Sequence, residues 1–167
     1  MDAPARADGE ACDVTGLRDV CPPEHGCTRA ARCAPYAPPA LTAVAAHRAR
    51  EPEGAALALR WRDAHDDATT VEVTTLTDRG RTWSLSLTAP PEGVDWVTRW
   101  AGDVFDGAAR VRVRLRDRTA RWSEAVEVDV RPPAPAGEGE ACDPLGITAR
   151  CAAGLSCDRG GDPRCLR

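Results

Sequence analysis

Eight cysteines carry the clearest chemistry in this 167-residue chain, and they fall into two sets of four. Cys12, Cys21, Cys27 and Cys33 form the first; Cys142, Cys151, Cys157 and Cys165 form the second. The sets open identically, Gly9-Glu10-Ala11-Cys12-Asp13 and Gly139-Glu140-Ala141-Cys142-Asp143, and share the spacing C-x8-C-x5-C before the last cysteine. That is an internal repeat. Four cysteines with none left over fit two disulfides per module, and three pairings are open in each. Zinc is the rival, since Cys21-x3-His25-x-Cys27 offers an imidazole. The second set has Leu155 at the matching position, however, and neither set has the C-x2-C knuckle typical of structural zinc. Modules this short bury too little to fold unaided. Each bridge would contribute ~3 kcal/mol in the chain-entropy model. Disulfides and no metal are the expectation.

A row of arginines is the second candidate. Arg110, Arg112, Arg114 and Arg116 alternate with Val111, Val113 and Leu115, and Glu127 and Asp129 alternate with Val126, Val128 and Val130. Arg112 and Arg114 are expected to pair across strands with Glu127, Asp129 and Glu72. Trp122 supplies an indole face on which Arg112 or Arg114 can stack, worth ~0.5–1 kcal/mol. Trp122-Ser123 beside an arginine-bearing strand resembles the guanidinium–indole ladder of cytokine receptors, with Ala125-Val126 where that motif repeats Trp-Ser. The expected structural ladder is therefore Arg112, Arg114, Trp122, Glu127 and Asp129. A sulfated glycan or another acidic partner is the alternative use of this face.

The remaining candidates read as structure. Asp63-Ala64-His65-Asp66-Asp67 gathers hard oxygen ligands, but without a glycine-containing calcium-loop spacing it reads as a turn. Trp96, Trp100 and Phe105 would make a sugar-stacking platform if exposed; with one Phe in the chain, the core needs them more. His25, His47 and His65 fall in loop or linker contexts, and the chain has no G-x-S-x-G, no H-E-x-x-H and no phosphate loop. No catalytic residue, metal or cofactor is assigned, and a non-enzyme is expected.

The elements that position these residues are strands. Strict alternation from Ala109 to Val130 marks an antiparallel hairpin turning at Asp117–Ser123. Shorter runs of the same period begin at Leu41 and cover Leu57–Trp61, Val71–Thr75 and Trp83–Leu87, with a further strand within Asp95–Trp100. Seven strands in about ninety residues, with no helical periodicity, imply a two-sheet antiparallel β-sandwich. Proline-rich stretches, Ala34–Pro39 and Pro132–Gly137, read as semi-rigid extended spacers. The chain thus divides into a four-cysteine module and linker (1–37), the sandwich (38–131), and a second linker and four-cysteine module (132–167).

Composition sets limits. A net charge of −4 and a pI near 5.4 argue against nucleic-acid binding, and no apolar run is long enough to span a bilayer. The chain contains no Lys, Asn or Gln, the mark of a GC-rich bacterial coding sequence, and lacking Asn it has no N-glycosylation site. Met1-Asp2-Ala3-Pro4-Ala5-Arg6 has no apolar leader core. With the cysteines, this implies a mature extracellular or cell-surface chain.

Trp61, the run Val111–Asp117 and Trp122-Ser123 resemble the corresponding strands of fibronectin type III and bacterial immunoglobulin-like domains over about residues 40–131. Ala109 stands where that family's corner tyrosine is expected. Asp78-Arg79-Gly80-Arg81-Thr82-Trp83 is similar to the Asp-box turn of secreted β-proteins, with Leu76 replacing its serine. The turn motif is therefore assigned to Asp78, Gly80 and Trp83, with Asp capping and Gly at positive φ. The run Cys151-Ala152-Ala153-Gly154-Leu155-Ser156-Cys157 resembles small secreted disulfide modules of the Dickkopf and growth-factor-binding kinds. Together these imply a secreted or surface interaction protein: an adhesin, a spacer or a repeating subunit of a filament, with a protein partner or self-association. The alternative is a small inhibitor or ligand-binding protein presenting a stapled loop such as Pro22–Gly26.

Overall fold

The computed structural model describes residues 6–15, 20–49, 53–88 and 95–167, and every regular element among them is a β-strand. The leader reading rests on 1–5 and lies outside the described residues. In the head module, β1 (His25–Cys27) and β2 (Cys33–Pro35) form a hairpin. The central strands are β3 (Ala40–Ala49), β4 (Gly54–Arg62), β5 (Ala68–Thr75), β6 (Thr82–Ser86), β7 (Trp96–Trp100), β8 (Arg110–Asp117) and β9 (Val126–Arg131). The tail holds β10 (Ala134–Ala136), β11 (Ala149–Cys151), β12 (Ser156–Cys157) and β13 (Cys165–Leu166).

The seven central strands form one curled sheet, a half-barrel in the order β6-β5-β8-β9-β3-β4-β7. Every neighbour is antiparallel except β3 and β9, which run parallel and meet at Ala46↔Val130 and His47↔Arg131. The expectation of two wholly antiparallel sheets thus needs amending: that short parallel seam joins the two limbs. Curling brings the apolar faces of the limbs together. Ala55, Leu57 and Leu59 of β4 face Val71 and Val73 of β5 and Val111, Val113 and Leu115 of β8, all essentially buried. Burying a side chain of this size contributes roughly 1.5–3 kcal/mol. Phe105, from the loop before β8, is wholly buried, its ring centroid 6.3 Å from that of Trp83 and 6.0 Å from that of Trp100. These rings are in and against the core, so they do not form a sugar platform.

Asp117, 3 % exposed, closes β8. Its Oδ1 accepts bonds from the Arg121 amide and the Thr119 hydroxyl at 2.8 and 2.9 Å, which satisfies a carboxylate that burial would otherwise penalise. The turn passes through Ala120 at φ 65° and returns as Trp122-Ser123, where Ser123 Oγ accepts the Leu115 amide at 2.9 Å. An extra residue between this return and β9 lets Val126 pair with Val113 while Trp122 pairs with Arg116.

The proline segments are not free spacers. Ala34 and Pro35 already belong to β2, and β10 lies within the second stretch, parallel to β11 with Ala134↔Ala149 and Ala136↔Cys151 in register. Prolines suit this role because their fixed φ is extended, and the bonds come from elsewhere: Ala134 donates to Thr148 O and Ala152 donates to Ala136 O.

Candidate functional site

The eight cysteines make four disulfides in one pattern used twice. Cys12–Cys27 and Cys21–Cys33 staple the head; Cys142–Cys157 and Cys151–Cys165 staple the tail. First joins third and second joins fourth, which selects one of the three pairings open from the spacing. The sulfurs of Cys12, Cys21 and Cys33, and of Cys142, Cys151 and Cys165, sit within 4.8 Å of one another, but each is spent in a disulfide and offers no thiolate.

The shared opening has a structural meaning in both copies. Gly9 and Gly139 take positive φ (74° and 79°), and their amides donate to Cys33 O and Cys165 O, each at 2.7 Å. The Glu10 and Glu140 carboxylates accept the amides of Ala7 and Gly137 at 2.8 and 2.7 Å. Arg32 and Arg164 each donate from Nη1 to the carbonyl of that glycine at 2.9 Å. Asp13 and Asp143 accept the amides of Thr15 and Leu145 at 2.9 and 3.0 Å. The repeat is therefore one fold built twice.

The copies dock on the sheet through different faces. The head uses its hairpin. The Tyr36 ring lies 5.1 Å from the His65 ring, the Arg29 amide donates to Ala64 O at 3.1 Å, and the Arg121 guanidinium sits 4.9 Å over Tyr36. Gly26 is obligatory here, because a Cβ would lie 2.5 Å from Tyr36 Cε1 and 2.8 Å from His65 Cδ2. The tail uses the loop after its first cysteine. Ile147, 1 % exposed, packs with Ala49 and Ala56 on the outer face of β3 and β4, and Arg99 on β7 reaches Asp143 at 3.3 Å. His65 follows the C-terminal end of β4, whereas Gly54 beneath Ile147 begins it, so the modules hold opposite ends of that strand.

Asp143 is 7 % exposed. Burial pushes its pKa up, but bonds from the Leu145 amide, the Thr148 amide and hydroxyl, and the Arg99 guanidinium outweigh that and hold it below the ordinary carboxylate value. Neither Arg99 nor Ile147 stands out in the sequence. The one available signal is that Asp143 belongs to the repeated opening.

Three arginines of the row, Arg110, Arg112 and Arg114, are paired with carboxylates in place. Arg112 donates from Nη2 and Nε to Glu127 Oε1 at 2.7 and 3.0 Å, and Arg114 donates to Glu72 at 2.7 Å. Asp129 pairs with Arg110 at 3.3 Å rather than with Arg112 or Arg114, as the register Arg110↔Asp129 dictates. The Arg112 hydrogen bond is the main cause holding the Glu127 pKa below its ordinary value. Trp122 stacks on Arg114, whose guanidinium carbon is 4.0 Å from the ring centroid; Arg116 is farther, at 5.7 Å. The stack is the half ladder expected, on Arg114 and not Arg112.

Other sequence candidates take structural roles. Asp63 closes its loop by accepting the amides of His65, Asp67 and Ala68 at 3.1, 2.8 and 2.7 Å. The Asp67 pKa is raised, first by burial and then by the charges of Asp63 and Asp117. His25 and His47 lie on strands β1 and β3, not in loops. His25 Nδ1 is 3.0 Å from Pro23 O, and His65 Nε2 is 3.3 Å from Ala34 O. His47 keeps a buried, unpartnered Nδ1, and burial, then Arg131, lowers its pKa.

The turn of Asp78, Gly80 and Trp83 joins β5 to β6, but its bonds differ from those expected. The Gly80 amide donates to Thr77 O at 3.0 Å and the Arg81 amide to Thr75 Oγ1 at 2.8 Å, so Asp78 supplies neither. Gly80 does not take the positive φ expected of it; what sets it apart is close approach to the backbone, since a Cβ there would lie 3.0 Å from Thr75 O. Trp83 lies half-buried on β6 against the core.

Compared with models of protein families, with curated proteins and with solved structures, the chain has no significant match.

Proposed function

We propose that this chain is an extracellular structural or interaction protein, in which a fibronectin type III-like or immunoglobulin-like sandwich holds a disulfide module rigidly at each end. The strand order supports the fold reading. One limb is β3-β4-β7, the other is β9-β8-β5-β6, and first and last strands meet in parallel, an arrangement compatible with immunoglobulin-like sandwiches. Four disulfides support an oxidising compartment.

The observation that carries the role is the pair of equivalent modules anchored at opposite ends of β4, each by buried or ring contacts. A unit so built presents related surfaces at both poles. Head-to-tail contacts between such units give filaments where the rotation between neighbours does not close. Val14 and Val20 of the head and Leu145 and Leu166 of the tail are exposed apolar residues that such contacts would cover. Small-angle scattering over a concentration series, with negative-stain microscopy, tests the reading. Growing linear assemblies are expected of a repeating subunit, whereas monomers at every concentration would remove that role.

The second reading is an inhibitor-like binder. Pro22–Gly26 is flanked by Cys21 and Cys27, both disulfide-bonded, and its exposed Glu24 adopts φ 62°, so the loop tip is pre-shaped. One stoichiometric foreign protein captured from the source medium, lost on replacing Glu24, would favour this reading over self-assembly.

A further inference from the structure

We propose that the cleft where the sheet, the proline segment and the tail meet binds a small organic anion with an apolar body. The cleft encloses about 500 Å³ and is lined by Arg48, Val130, Pro132, Pro133, Pro135, Arg150 and Cys151. Its size falls in the range of small-molecule sites, roughly 300–1,000 Å³, and such sites favour junctions between structural units.

The two arginines differ in a way that specifies the ligand's charge. Arg48 is fixed: Nη2 donates to Ala108 O at 2.6 Å, and Nε lies 2.8 Å from Asp103 Oδ2, close enough for an ion pair though not aligned as a hydrogen bond. Asp103 is held in turn, accepting the amides of Phe105 and Gly107. Arg48 is thus pre-oriented, its charge offset by Asp103 and its Nη1 uncommitted by these contacts. Arg150, exposed on β11, makes no ion pair among the described residues. The cleft therefore carries one uncompensated positive charge. A guanidinium fork recognises carboxylates, sulfates and sulfonates by paired donors.

The walls specify the rest. Proline has no amide proton, so Pro132, Pro133 and Pro135 present pyrrolidine rings and no competing backbone donor. Val130 extends that apolar surface from the end of β9. A ligand whose anionic head meets Arg150 and Arg48 would lay its apolar body along these rings. The structural role proposed above neither requires this site nor depends on it.

Titration of the disulfide-intact chain with 4-phenylbutyrate, followed by heteronuclear NMR, tests the proposal, with 4-phenylbutan-1-ol as the neutral counterpart. Saturable shifts are expected at the Val130 methyls, the Arg150 side chain and the Ala134 and Ala136 amides. Affinity should fall at least tenfold for the alcohol and for Arg150→Glu, stay within about threefold for Arg150→Lys, and be unchanged in Arg116→Glu, an exposed control on β8. Absence of saturation, equal affinity for acid and alcohol, shifts spread over the surface, or full retention in Arg150→Glu would overturn it. Because Arg150 is exposed, both of its variants should keep the parent amide spectrum outside the cleft.

Discussion

Replacing Ile147 by alanine asks whether the tail belongs to the folded unit or merely hangs from it. Ile147 is 1 % exposed and packs against Ala49 and Ala56, and its Cδ1 would sit 3.2 Å from any Cβ placed on Gly54. The change strips the side chain back to Cβ. At about 0.8 kcal/mol per methylene-sized group, transfer alone removes ~2.4 kcal/mol. Residual cavity adds to this, and Ile→Ala in closed sites falls at about 2–5 kcal/mol. The floor here is alanine and glycine at the edge of the protein, where water or neighbouring groups can fill the space. The lower part of that range, ~2–3 kcal/mol, is expected. Urea unfolding followed by Trp fluorescence should show the midpoint falling by about 1 M or more. Hydrogen exchange should show the Ala134 and Ala152 amides, which bridge the proline segment and the tail, losing protection before the central strands. A stability change under ~0.5 kcal/mol with both amides still protected would refute the reasoning, because Ile147 would then carry no docking energy.

The tail's carboxylate gives a pH test of the same joint. The Asp143 pKa lies below its ordinary value of 3.8, so its contribution is complete above that value and is lost as pH falls through the depressed one; tail protection should therefore drop in acid, and Arg99→Gln should move the loss to higher pH. Asp67 has the opposite sign: its raised pKa means the ionised form is disfavoured in the folded state, so Asp67→Asn should raise the melting temperature at pH 7, with the gain fading as pH falls through the raised value and gone below the ordinary 3.8. A lower melting temperature at pH 7 would contradict that reading. Trp122→Ala should cost at least the ~0.5–1 kcal/mol of the Arg114 stack and alter the tryptophan emission; unchanged stability and emission would dismiss the ladder. Intact mass after alkylation should show no modification before reduction and eight modified cysteines after it. Removing one bridge, as in Cys151→Ser with Cys165→Ser, should destabilise by about 2–5 kcal/mol.

What the sequence determined by itself was local and periodic. Two-residue alternation places Val111, Val113 and Leu115 in the core and the arginines outside, because a strand turns successive side chains to opposite faces. The hairpin brings Trp122 near the arginine row, and the repeated Gly-Glu-Ala-Cys-Asp opening announces two modules of one fold. Composition adds the covalent staples, since modules so small need them.

Tertiary structure decided everything that depends on which distant groups meet. Cys12 pairs with Cys27 and not with Cys21 because the β1–β2 hairpin aligns Cys27 opposite Cys33 and the Gly9 turn brings Cys12 back beside it, information absent from spacing. The proline segment that reads as a spacer becomes a strand only because the tail lies alongside to receive its bonds. Asp129 meets Arg110 rather than Arg112 through a register set by the extra residue after Ser123. Ile147, Arg99 and Tyr36 become anchors only on docking, and no periodicity marks them. Local alternation is dictated by backbone geometry within a few residues; pairing, register and docking are set by long-range packing, in which each side chain's role depends on what the rest of the chain places opposite it.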